Sequence, residues 1–301
     1  MSKIYPTIYF DGRLVPDDEA VVHVASSAVL YGLSVYTVFH VTVNDGGYYA
    51  FRLKDHFKRL VDSCRIIGID TFGKEWSYEE FEKDMKELLH ANKPTENVFV
   101  RASFHVNEKL PGTRSRGLST VLSAFVCDAT SIIPTDGTRL KTSVWRRTPD
   151  FSIPSRAKVN GAYVNSVLAR QDAIDSGYDD CILLDSSGQV AELSAANIFV
   201  VRGGTLITPD TNTDILEGIN RKTIIEIARS MDIPVAERAI DLTELYIADE
   251  VFVSGTSSFL TPVINIDARD IKAPENGITS RLQNAYYDAL LNPDSPYVTH
   301  L

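Results

Sequence analysis

Cysteine is scarce in this 301-residue chain. Cys64, Cys127 and Cys181 are the whole set, far apart and never in a C-x-x-C pair. An odd, sparse set fits reduced thiols in a cytosolic protein and argues against a disulfide framework. Positive charge is the minority sign, 30 Lys plus Arg against 40 Asp plus Glu, for a formal net charge of −10. A duplex-binding surface needs a basic stripe, so a nucleic-acid partner is not expected. Residues 1–18 lack an apolar segment before a small-residue cleavage site, so no signal peptide is expected.

Uncharged runs are few, and only residues 21–43 need weighing as a membrane span. They contain no Asp, Glu, Lys or Arg and exceed the ~20 residues a crossing helix requires. However, they include four serines or threonines before Phe39 and two histidines, and they end in the alternating run Ser34–Val43. Period two marks a buried strand, so no membrane association is expected.

The common phosphate, hydrolase and metal signatures are missing. There is no G-x-x-x-x-G-K-[ST], no G-x-G-x-x-G, no G-x-S-x-G and no H-E-x-x-H. The six histidines lack zinc-ligand spacing. Asp210, Asn212 and Asp214 imitate the start of a calcium loop, but Ile215 stands where its glycine belongs and Arg221 where its bidentate Glu belongs. No metal site is expected.

What is present is an ordinary globular composition, 44% apolar and 23% charged, at a length that predicts about two domains. The first third reads as a hairpin over Thr7–Val15 turned at Asp11-Gly12, then a strand over Val35–Val43 and a return over Tyr48–Arg52. Helical spacing follows over Leu53–Ile67 and Ser77–Ala91, the second opened by Ser77 with Glu80 in capping-box register. Alternation in Val98–Val106 puts Phe99, Arg101, Ser103 and His105 on one face. The Pro-, Asp- and Ser-containing stretch 128–137 is the expected linker between domains at 1–127 and 138–301. Beyond it a long meander is expected, with strands at Asp180–Asp185, Gln189–Glu192, Asn197–Val201 and Thr205–Thr208. An amphipathic helix over Asn220–Met231 and a strand over Glu250–Ser254 complete an α+β chain.

Five blocks carry chemistry: Phe51-Arg52-x-x-x-His56-x-x-Arg59-Leu60, the segment around Lys158, Glu192 followed by Asn197-Ile198-Phe199, Gly218-Ile219-x-Arg221, and Ser254-Gly255-Thr256 ahead of Thr261-Pro262. In this order they resemble the class IV (fold-type IV) pyridoxal-phosphate aminotransferases, and most of all the branched-chain amino acid aminotransferases, from about Tyr9 to about Asp267. The resemblance implies a small α/β sandwich-like N-terminal domain and a larger C-terminal pseudo-barrel domain, with pyridoxal 5′-phosphate in the cleft between them. It places Lys158 as the catalytic lysine that holds the cofactor as a Schiff base, a role suited to an amine that is both nucleophile and proton carrier. Glu192 then faces the pyridine nitrogen, Tyr163 the phenolic oxygen, and Leu216 packs on the ring. Arg52, Gly218, Ile219, Asn220 and Thr256 are assigned to the phosphate, which a guanidinium fork and a helix N-terminus both suit.

On the substrate side the resemblance implies Tyr31, Tyr36, Val38, His40, Arg101 and the backbone of Ser257. Arg101 matches an arginine that receives a substrate carboxylate. Where the branched-chain enzymes carry Phe-Glu-Gly-x-Arg, this chain has Tyr36-Thr37-Val38-Phe39-His40. Val38 narrows the pocket, and His40 replaces a permanent cation with a group of pKa ~6.5. Arg114 and Arg116 follow on a loop that could supply a substitute. The expected activity is ping-pong transfer of an amino group from a branched-chain L-amino acid to 2-oxoglutarate in a cytoplasmic homodimer. Three alternatives stand beside it: a transaminase of (R)-amines or D-amino acids using a keto acid such as pyruvate, an aminodeoxychorismate lyase, and a cofactor-binding protein without activity.

Overall fold

The Asp11-Gly12 pair turns the chain between β1 (Thr7–Phe10) and β2 (Arg13–Pro16), both turn residues having positive φ as a two-residue hairpin requires. The uncharged run 21–43 splits into a short helix α1 (Ser27–Tyr31), closed by Gly32 at φ 65°, and strand β3 (Ser34–Asn44). Among the described residues no helix is long and apolar enough to cross a membrane. The computed structural model describes residues 3–71 and 77–301.

Alternation makes β3 two-faced. Val35, Phe39 and Val41 lie fully buried in the core, and Tyr36, Val38 and His40 take the opposite face. Strand β4 (Gly47–Phe51) returns antiparallel. It ends one residue short of the expected Arg52, which leaves the strand in the left-handed region (φ 52°) and starts α2 (Leu53–Ile67). Next, α3 (Tyr78–Asn92) opens with the expected capping box: Ser77 Oγ accepts from Glu80 N–H and Glu80 returns a carboxylate to Ser77 N–H. Leu60 of α2 and Phe81 and Leu88 of α3 fill the core against the inner faces of β3, β5 (Val98–Val106) and β6 (Thr120–Asp128).

In the second unit β7 (Thr138–Arg146) is followed by α4 (Tyr163–Asp175), then β8 (Asp180–Leu184), β9 (Val190–Leu193), β10 (Asn197–Arg202) and β11 (Thr205–Thr208). After them come α5 (Ile219–Ser230), β12 (Val235–Glu237), α6 (Leu242–Leu245), β13 (Glu250–Gly255), β14 (Phe259–Ile266), β15 (Arg269–Asp270) and α7 (Ile278–Leu291). The expected hairpins are present, β8 with β9 and β10 with β11, both antiparallel, and only their joining into one continuous meander is corrected. The sheet runs β12-β11-β10-β13-β14-β7-β8-β9, and β9 and β10 are not neighbours in it. The reason is that β7/β8 and β11/β12 pair in parallel. Parallel pairing needs a crossover, and α4 and α5 are those crossovers.

The compact units differ from the expected domain ranges in two segments. Unit 1 is Met1–Thr130 with Ala157–Ala162 and Leu290–Leu301; unit 2 is Ser131–Arg156 with Tyr163–Ala289. Tyr36 N–H donates to Lys158 O at 3.0 Å, and Val35 bridges Val159, so backbone pairing draws the lysine segment to β3. The last strand, β16 (Val298–His300), pairs antiparallel with β4. Unit 1 is thus a seven-stranded sheet, β16-β4-β3-β5-β6-β1-β2.

Candidate active site

Lys158 is clamped by its backbone on both sides. Its N–H donates to Ser63 Oγ at 3.1 Å and its carbonyl accepts from Tyr36. The side chain runs over Tyr36, with Nζ 4.9 Å from the ring centroid. The Arg101 guanidinium stacks on the same ring at 3.7 Å and donates to Asn160 Oδ1 at 2.7 Å. Asn160 donates in turn to Ser34 Oγ. Lys158, Tyr36 and Arg101 therefore form one cluster, and Asn160 joins it as a residue the sequence reading left out. Its signal was there: it lies two positions after the lysine, in Lys158-Val159-Asn160-Gly161.

Cross-strand register places Val38 beside Arg101 and His40 beside Phe99. Burial lowers the His40 imidazole to about 4, so no cation stands at that position near neutral pH. His105 is lowered to about 4 as well, by burial first and then by Arg101. Beneath β3, Thr37 Oγ1 lies 2.7 Å from His56 Nδ1 and accepts from Arg59 Nη2 at 3.3 Å. Arg59 can only donate, which leaves the hydroxyl hydrogen for His56. Burial, then Arg59, Lys158 and Arg52, hold this ring well below its ordinary range. Arg52 sits in strained backbone, with its N–H on Tyr297 O at 2.7 Å and its Nε 2.8 Å from Asp55. Tyr31 lines another concavity of about 340 Å³ with Leu33, Ile67, Thr113, Arg114 and Ser115, half-exposed at its rim.

Unit 2 organises itself around one carboxylate. Glu192, buried on β9, has Oε1 2.7 Å from Arg147 Nε, itself nearly buried. Its Oε2 accepts from Leu216 N–H at 3.1 Å and from Asn197 Nδ2 at 3.2 Å. Asn197 also donates to Leu216 O at 3.0 Å. Gly218 caps α5 with extended backbone, and a methyl placed there would fall on Asn197 Oδ1. Asn220 in the first turn of α5 donates to the buried hydroxyl of Tyr286 at 2.8 Å. Thr256 and Ser257 form the turn between β13 and β14, where Ser257 O accepts from Ile132 N–H. Flanking that turn, Ser254 Oγ and Ser258 Oγ are buried without a hydrogen-bond partner. Tyr163 is the first residue of α4 and Ile219 the first of α5. Arg147 and Asn197 were not among the expected site residues. Asn197 was visible only as part of a motif, and Arg147 meets Glu192 through β7/β8/β9 pairing that spacing does not reveal.

Residues 34–266 match the model of the family described as amino-transferase class IV. A probable branched-chain-amino-acid aminotransferase of Aquifex aeolicus is 37% identical over 287 residues, covering 94% of this chain and 91% of that protein. The crystal structure of the branched-chain aminotransferase of Thermoproteus uzoniensis with norvaline superposes with a TM-score of 0.93 at 35% identity, covering 98% of this chain and 99% of that one. The holo, PLP-form structure of the Thermobaculum terrenum branched-chain amino acid aminotransferase gives 0.90 at 30% identity, over 99% and 98%. With the lysine cluster and the clamped carboxylate standing on a fold shared along nearly the whole chain, this protein belongs to the class IV aminotransferases.

Proposed function

We propose that this transaminase moves the amino group of L-leucine, L-isoleucine or L-valine to 2-oxoglutarate and that pyridoxal 5′-phosphate is its cofactor. The observation that carries the cofactor reading is Glu192. It is a buried acid with Arg147 Nε 2.7 Å from one oxygen and two N–H donors on the other, a placement suited to facing a protonated ring nitrogen. The phosphate assignment has three supports: the strained Arg52, the α5 N-terminus at Gly218, Ile219 and Asn220, and the unpartnered hydroxyls on either side of Thr256. Tyr163 would meet the phenolic oxygen and Leu216 the ring face. The cofactor, when bound, supplies the electron-accepting ring that stores the amino group between two half-reactions.

The chain's own groups do the rest. Lys158 Nζ would hold the cofactor's aldehyde carbon and, once displaced by a substrate amine, would carry the proton, while its clamped backbone restricts its motion to the side chain. Val38 shapes the pocket, and Arg101, pre-oriented on Tyr36, is the cation for a substrate carboxylate. The Ser257 N–H and Tyr31 complete the substrate contacts. A second reading, transamination of (R)-amines or D-amino acids with pyruvate, has one specific support: His40 is neutral where the resembling enzymes carry arginine.

A reducing, cytosolic homodimer is part of the proposal. The described cysteines form no disulfide. Large apolar side chains stay exposed on α4 of unit 2 (Val164, Val167) and around α1 of unit 1 (Val24, Val29). Light scattering should give twice the chain mass. Spectroscopic half-reactions with both enantiomers of several donors test the substrate. The L-branched-chain donors should bleach the yellow protein and 2-oxoglutarate restore it; bleaching by D-alanine or (R)-1-phenylethylamine alone overturns the branched-chain reading.

A further inference from the structure

Asn197 is the first residue of β10, buried, and its amide serves three elements at once. Both hydrogens of Nδ2 are used, one on Leu216 O at 3.0 Å and one on Glu192 Oε2 at 3.2 Å. Leu216 N–H closes the circuit on the same carboxylate oxygen at 3.1 Å. The other side of the amide occupies the place a Cβ would take at Gly218, the cap of α5. A buried amide needs an acceptor for each of its two hydrogens, and here the two acceptors come from different segments, Leu216 and Glu192. Here one rigid planar amide joins the acid of β9, the chain at Leu216 and the start of a helix.

We propose that Asn197 is a positioning residue that couples the Glu192 carboxylate to the α5 N-terminus, so that the pyridine end and the phosphate end of one ligand are held in a fixed relation. The proposal rests on the cofactor reading above. It explains two sequence choices together: glycine at 218, because the amide occupies the space, and asparagine at 197, because aspartate would bring a second carboxylate to Glu192 and carry no donor.

The test measures dissociation constants of the apoprotein by equilibrium dialysis, with pyridoxal 5′-phosphate, with pyridoxal, which lacks the phosphate, and with inorganic phosphate. Asn197→Ala should weaken pyridoxal 5′-phosphate by ~10–100-fold, the loss expected for hydrogen bonds to a charged group. It should weaken pyridoxal and inorganic phosphate as well, because both ends lose their reference. Gly218→Ala should cost a similar factor in the wild-type background and less than about threefold when added to Asn197→Ala, as contacting residues are non-additive. Asn197→Asp keeps the shape and should recover affinity as pH falls, when a proton shared between two carboxylates restores a donor.

Affinity within about twofold of wild type in Asn197→Ala, a loss confined to one of the two fragment probes, or additive costs in the double variant would each overturn the coupling. If Asn197→Ala does not fold, Gly218→Ala and the Asn197→Asp pH series decide alone, and a pH-independent loss in the latter rejects it. A wild-type chain that binds no pyridoxal 5′-phosphate would sink the cofactor reading itself, a result separate from these.

Discussion

Unit 1 and unit 2 treat charge in opposite ways. Unit 1 gathers cations, Arg52, Arg59, Lys158 and Arg101, among histidines that burial keeps neutral. Unit 2 gathers donors around a single buried carboxylate. The lysine segment is held to Ser63 and Tyr36 by backbone bonds that do not use its side chain. Glu192 is itself the centre of its network. Function and stability should therefore separate in unit 1 and coincide in unit 2.

The sharpest way to break this contrast is to remove each centre. Lys158→Ala should cut turnover at least ~10³-fold, the scale of losing a nucleophile and proton carrier, and leave the thermal midpoint close to wild type. Glu192→Ala should lose activity and also destabilise the fold by ~3 kcal/mol, because Arg147 would remain buried and unpaired. Denaturant unfolding of the two variants side by side checks this; equal stabilities would refute the contrast. Glu192→Gln, which keeps the shape, should fall between them.

Acid should separate the units next. All six histidines of the chain lie in unit 1, and unit 2 has none. His40 and His105 are lowered from an ordinary value of 6.5 to about 4, and burial with Arg59, Lys158 and Arg52 holds His56 well below its ordinary value. Between those values the unfolded chain takes up protons that the folded chain refuses, so stability falls as pH drops from about 6.5 towards about 4. At pH 5 the loss should be on the order of 2 kcal/mol for each of His40 and His105. Asp84, raised by burial, offsets part of it in unit 1. Asp180 in unit 2 is raised too, so there the folded form binds its proton first, which has the opposite sign. Hydrogen exchange at pH 7 and pH 5 should show β3 and β5 losing protection before β10 and β13, and His40→Gln should reduce the difference.

Local signals in the sequence were readable because local physics decides them. Asp11-Gly12 could only be a hairpin turn, Ser77 and Glu80 a capping box, and the alternation in Val98–Val106 put Arg101 opposite the core face. Partners brought by pairing between distant segments were not readable. Arg147 reaches Glu192 because β7, β8 and β9 are neighbours, and Arg101 meets Asn160 because Ala157–Ala162 folds onto β3. The parallel pairs that broke the expected meander have the same origin, since periodicity within a strand is silent about its neighbours. The residues that orient the motif residues had to come from the fold.

The smallest effect tests how the lysine segment is seated. Gly32 and Gly161 meet back to back in unit 1: a methyl on Gly32 would come 2.8 Å from Gly161 Cα, and one on Gly161 would come 3.2 Å from Gly32 O. Gly32 also has φ 65°, a conformation that costs an L-residue energy, and Gly161 has no such constraint. Backbone cannot yield as a side chain can, so Gly32→Ala should destabilise by ~1–2 kcal/mol through both effects. Gly161→Ala carries only the contact and should cost ~0.5–1 kcal/mol. The difference between the two, read from denaturant midpoints at constant slope, isolates the left-handed backbone from the close approach. If Gly161→Ala proved the worse of the pair, the seat of Lys158 would depend on the approach of the two chains and not on the turn that ends α1.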